Sequence, residues 1–90
     1  MDNVRELADI PRYVLVHGFG KTKHPGDGLW YAADQVRPWC VYFAFAGHYF
    51  QTVDQALQYA ALRGFIHTDM IGKIKANLTE RGYVHNENLY

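Results

Sequence analysis

The chain has a single cysteine, three prolines, no excess of either charge and no long hydrophobic run. Each shortage removes a class of protein. Cys40 alone cannot build an internal disulfide framework, and so poor a cysteine complement points to a reducing, cytoplasmic setting. Nine Lys and Arg balance nine Asp and Glu, which argues against a broad electrostatic grip on nucleic acid or an anionic membrane. The longest uncharged apolar run, Trp39 to Ala46, falls far short of the ~20 residues a membrane span needs. Met1-Asp2-Asn3 is not followed by the apolar stretch of a secretory signal, so no membrane role is expected.

What is present is ordinary globular material: 90 residues, 49% hydrophobic and 20% charged. With no repeat, low-complexity tract or dividing linker, residues 1–90 read as a single domain. Asn3 to Glu6 has capping-box spacing and starts a short helix that Pro11 must stop. Arg12 to His17 reads as a first strand, residues 18–28 as a flexible Gly-rich loop, and Leu29 to Gln35 as a second strand. Trp39 to Ala46 alternates as a third strand, with Trp39, Val41, Phe43 and Phe45 on one side and Cys40, Tyr42, Ala44 and Ala46 on the other. Ala46-Gly47-His48 supplies a turn and Tyr49 to Gln51 a short return strand.

Thr52 and Gln55 form a second capping-box pair, and Val53, Ala56, Leu57, Ala60 and Ala61 give a helical stripe that Gly64 ends. Thr68-Asp69 caps another helix, with Met70/Ile71, Ile74 and Leu78 as its apolar face and Gly82 as its stop. Tyr83 to His85 reads as a short edge strand, or residues 84–90 as a frayed tail. Strands followed by helices define the α+β class: one two-layer domain, a 3–4 stranded antiparallel sheet with two C-terminal helices packed on one face. The small side chains of Cys40, Ala44 and Ala46 assign their face to the helices. The Trp39/Phe43/Phe45 face is then either the second half of the core or an interface.

The familiar motifs fail on spacing. Gly18 to Thr22 follows a strand as a phosphate-binding loop does, but Leu15 stands where that motif needs glycine and His24-Pro25-Gly26 cannot start its helix. The histidines at 17, 24, 48, 67 and 85 form no local metal-binding pair, so no metal and no cofactor is expected. Cys40 lies inside an apolar strand, a place for core filler rather than a thiolate. Gln55 to Leu78 is similar to a helix-turn-helix, with Ala60 and Gly64 at the small-residue and turn positions. It departs from that pattern at Arg63 and at Lys73, a position usually buried. Asp69 to Arg81 carries three basic and two acidic residues, too weak a surplus for a strong grip on phosphates.

The aromatics carry the remaining signal. Eight of fourteen lie between Trp30 and Phe50, and Pro38 to Val53 has no formal charge. Aromatic enrichment with charge depletion is the composition of an interface core. The expectation is therefore a small non-enzymatic protein that binds and modulates a larger protein or nucleoprotein complex. By class analogy alone, it would be a phage or mobile-element inhibitor of the anti-CRISPR kind. Trp30, Tyr31, His48, Tyr49 and Tyr59 are the candidate contacts, with Lys21 and Lys23 steering an acidic partner. A homodimer is a further expectation. The alternatives are a small DNA-binding regulator using the 53–81 helix pair and an enzyme whose site is unrecognised.

Overall fold

The computed structural model describes residues 12–20 and 24–84. Strands β1 (Val14–Gly18), β2 (Gly28–Tyr31), β3 (Trp39–Phe43) and β4 (Ala46–Phe50) precede helices α1 (Val53–Leu62) and α2 (Met70–Glu80). The strands form an antiparallel meander in the order β1-β2-β3-β4, with both helices on one face. The result is the expected two-layer α+β domain. The expected N-terminal helix, Lys21 to Lys23 and the tail beyond Val84 lie outside the described residues. Tyr83 and Val84 form no strand and pack against the core instead.

Helix α1 follows its sequence signals closely. Thr52 accepts from the Gln55 backbone N–H at 3.1 Å, and the Gln55 side chain returns to the Thr52 N–H at 3.3 Å, closing the capping box. Val53, Ala56, Leu57 and Ala60 are buried, and Gly64 leaves the helix at φ +81. Helix α2 buries Ile74 and Leu78 as its stripe requires, but its expected cap is absent. Asp69 has helical dihedrals and makes no side-chain capping bond. The first turn is closed by backbone instead: the Met70 N–H donates to the His67 carbonyl and the Ile71 N–H to that of Thr68.

The assignment of sheet faces is reversed. Trp39 and Val41 are buried beneath the helices with Val16 and Leu29, while Cys40 and Tyr42 form a separate cluster on the other side. Small strand residues suggested close approach of a helix. In fact the helix supplies the small side chains: Ala56 and Ala60 are fully buried, which lets α1 settle over full-sized strand residues. The sheet and helices thus interlock large against small, as dense packing demands.

Two local departures shape the strands. The third strand stops at Phe43, because Ala44 and Phe45 make the hairpin turn that was expected at Ala46 to His48. Both turn residues have positive φ, 50° and 68°, as a type I′ hairpin requires but as alanine and phenylalanine disfavour by ~1–2 kcal/mol each. The compensating contact comes from the neighbouring hairpin. Asp27, 5% exposed, accepts the Ala44 N–H at 2.9 Å through Oδ1, while the His24 and Phe45 rings meet at 4.6 Å. In β1 the pairing with β2 slips by one residue between Leu15 and His17. Gly28 is needed opposite that irregularity, since a Cβ there would lie 2.4 Å from the His17 carbonyl oxygen. The second strand ends at Tyr31 rather than Gln35; the Ala32 N–H then bonds to the Pro38 carbonyl as the chain turns.

Candidate functional site

Register places two rows of residues across the sheet face away from the helices. Leu15, Trp30, Cys40 and Tyr49 are mutual neighbours in one row; Gly18, Gly28, Tyr42 and Gly47 form the next. Neither row holds a charged side chain. Among the described residues no helix or strand is stacked over them. Charge returns at the rim, where Arg12 pairs with Asp34 at 2.6 Å. Hydrogen bonds from Gln35 and then Arg12 hold the Asp34 carboxyl below its usual range.

The rings of this open face are anchored rather than loose. Trp30 donates its indole N–H to the Gly26 carbonyl at 2.7 Å and meets Tyr42 edge-on at 6.3 Å. The Tyr13 hydroxyl donates to the Arg37 carbonyl at 2.6 Å, and its ring packs edge-on against Tyr49 at 5.5 Å. Partial burial raises the Tyr13 pKa, so this phenol stays a donor at neutral pH. A Cβ at Gly47 would stand 3.3 Å from the Tyr49 hydroxyl and 3.2 Å from the Cys40 sulfur, so the glycine lets the Tyr49 phenol lie flat across the sheet. Cys40 and Tyr42 form a sealed floor at 0% and 3% exposure, beneath Leu15 at 45% and Tyr49 at 37%. Burial pushes the Cys40 thiol up to about 12, against the opposing effect of hydrogen bonds from Tyr49 and His48. It is buried packing material, as its position in the sequence suggested.

The candidate residues divide between the two faces. Trp30 and Tyr49 stand on the open face, one on each side of Cys40. Tyr31 faces the helices, with its ring 4.5 Å from Trp39 and 5.6 Å from Tyr83. His48 and Tyr59 also meet on the helix side, at 5.0 Å. There Tyr59 packs on Phe50, and the Arg63 guanidinium lies over its ring and donates to its hydroxyl at 2.9 Å. Lys21 and Lys23 lie outside the described residues. Tyr13, Leu15 and Tyr42 were missed as members of the open face. The available signal was Gly28 and Gly47, which flank Tyr42 in register and leave room for neighbouring side chains.

No group of three or more His, Cys, Asp or Glu able to hold a metal occurs among the described residues, and none of the described helices is long and apolar enough to cross a membrane. On the helix pair, Lys75 is bound to Asp54 at 3.0 Å, and Arg81 donates to the Val16 carbonyl at 2.7 Å. Fold and surface together define a class: a small α+β domain whose sheet is covered by helices on one side and presents fixed aromatic rings on the other. No protein-family model matches this chain, and no curated protein or solved structure is significantly similar to it.

Proposed function

We propose that this protein is a small non-enzymatic binding module that holds a larger protein, or the protein part of a nucleoprotein complex, against the open face of its sheet. The uncharged double row from Leu15 to Tyr49, with Trp30 and Tyr49 fixed by their own contacts, carries this reading. Fixed aromatic side chains lose little entropy when a partner covers them, which is why they dominate binding energies at interfaces. The inhibitor of the anti-CRISPR kind is the narrower form of the same proposal and rests on class analogy. The helix pair gives less support to a DNA-binding role, since Lys75 and Arg81 are engaged within the domain.

The test is capture from a bacterial lysate by immobilised wild type, Trp30→Ala, Tyr49→Ala and Tyr31→Ala, each first shown to be folded by circular dichroism. A partner retained by wild type and Tyr31→Ala, but reduced at least ~10-fold by either open-face variant, supports the reading. Equal retention by all four proteins removes the open face as the site.

A further inference from the structure

We propose that the cleft between α2 and the first turn of α1 is a small-molecule site for a planar aromatic carboxylate. This goes beyond the open-face reading, because the cleft lies on the helix side of the sheet and leaves that face uncovered.

The cleft encloses about 730 Å³, within the ~300–1,000 Å³ usual for small-molecule sites. One wall is aromatic. The Tyr31 ring meets Trp39 at 4.5 Å and Tyr83 at 5.6 Å, so the three rings hold one another in place. Another wall is α2, which contributes Gly72 and Ala76, neighbours on one side of the helix. Glycine inside a helix is less stable than alanine. No crowding requires it at position 72, since a Cβ there would meet nothing within 4 Å. What the glycine preserves is the width of the cleft. Rings on one side and a bare stretch of helix on another leave a slot, the shape that a flat ring fills.

The polar groups of the cleft select a carboxylate, because they are mostly donors. Trp39 lines the cleft and is 5% exposed, yet among the described residues its indole N–H has no acceptor. The contrast is Trp30, whose indole N–H is taken by the Gly26 carbonyl. A buried donor left unpaired is costly, so an acceptor is wanted at Trp39. On α1 the Gln55 N–H is taken by the Thr52 side chain and the Ala56 N–H by the Thr52 carbonyl. That leaves the N–H groups of Val53 and Asp54, which line the cleft at the positive end of the helix. Lys75 adds an ammonium group, held at 3.0 Å by Asp54, the one carboxylate among the described lining residues. The acid is thus neutralised within the cleft, while the donors outnumber the acceptors. Charged and helix-end donors bind an ionised oxygen more strongly than a neutral one.

The chain has two tryptophans, one on each side of the sheet, and they give the experiment its own control. Isotope-labelled protein is titrated with naphthoate while nuclear magnetic resonance follows both indole N–H signals, which Trp30→Ala assigns. The Trp39 signal should move to saturation with a Kd of about 0.1–1 mM, as suits so small a ligand, while the Trp30 signal stays in place. Naphthamide keeps the ring without the charge, and cyclohexanecarboxylate keeps the charge without the flat ring. Each should bind at least about 10-fold more weakly. Gly72→Leu, at an exposed helix position, should fill the slot and weaken naphthoate by at least about 10-fold. Lys75→Met, which keeps the aliphatic stem, should weaken naphthoate but not naphthamide. Circular dichroism confirms that both variants are folded. A Trp39 signal that does not move, naphthamide binding as tightly as naphthoate, or full binding by Gly72→Leu and Lys75→Met would each overturn the proposal. Movement of the Trp30 signal instead of Trp39 would overturn it too, and would place the ligand on the open face.

Discussion

The two faces of the sheet are both rich in aromatic rings, yet they are finished in different ways. The helix face is completed by other elements: Leu57 and Leu78 descend onto Leu29 and Val41, and all four are at most 1% exposed. The open face is completed by its own strands, with Trp30 and Tyr13 packed around Cys40 and Tyr42, and Leu15 and Tyr49 left partly outside. A hydrophobic ring is therefore no guide to which side is core. What separates the faces is whether a second layer arrives. The open side can still exclude water from its floor when glycine neighbours allow side chains to lie flat.

The widest predicted effect tests that floor. With its pKa raised from 9.0 to about 12, Cys40 should react with a thiol reagent at neutral pH at least about a thousandfold more slowly in the folded protein than in urea. Rapid labelling of native protein would show that the open face is not sealed. Next in size, Leu57→Ala on the helix face should cost about 2–5 kcal/mol in denaturant unfolding, because a fully buried side chain leaves a cavity. Trp30→Ala should cost less, since that ring is only partly buried. A larger loss at Trp30 would invert the ranking of the two faces.

Asp27→Ala should destabilise by about 1–3 kcal/mol, because the Ala44 N–H loses its acceptor. Asp27→Asn, which keeps an oxygen for that bond, should recover part of this loss. Ala44→Gly should act in the opposite direction and raise stability by about 1 kcal/mol, since glycine accepts positive φ. The smallest effect concerns His17. Burial, aided by Arg81, lowers its pKa below 6.5, so the unfolded chain takes up this proton more readily than the folded one. Its contribution to stability is complete above pH 6.5 and is lost as the pH falls through the folded value. The urea midpoint should therefore fall on acidification, and less steeply in His17→Gln.

Much of the fold could be read from local pattern. Thr52, Gln55 and Gly64 mark α1 because capping and termination are decided within a few residues, and the order of strands before helices gave the α+β class. The hairpin turn was not legible, because Ala44 and Phe45 are poor choices for it. The residue that holds them there is Asp27, seventeen positions away. The face assignment failed for a similar reason: the space beneath a helix is set jointly by both partners, and Ala56 and Ala60 decided it from the helix side. Of the candidate site, Trp30 and Tyr49 could be found from composition, but their pairing across Cys40 requires the register. Nothing local separated Tyr31 from them, although it points the other way.

The bond from Arg81 to the Val16 carbonyl joins groups 65 residues apart. It fastens the first strand with a side chain that follows the last helix. A chain cut short of position 81 lacks this bond, which leaves the Val16 carbonyl of β1 bare at the outer margin of the sheet. Truncations just before this arginine should therefore be more prone to strand-to-strand aggregation than truncations just after it, and filter-trap yields of the two would measure the difference.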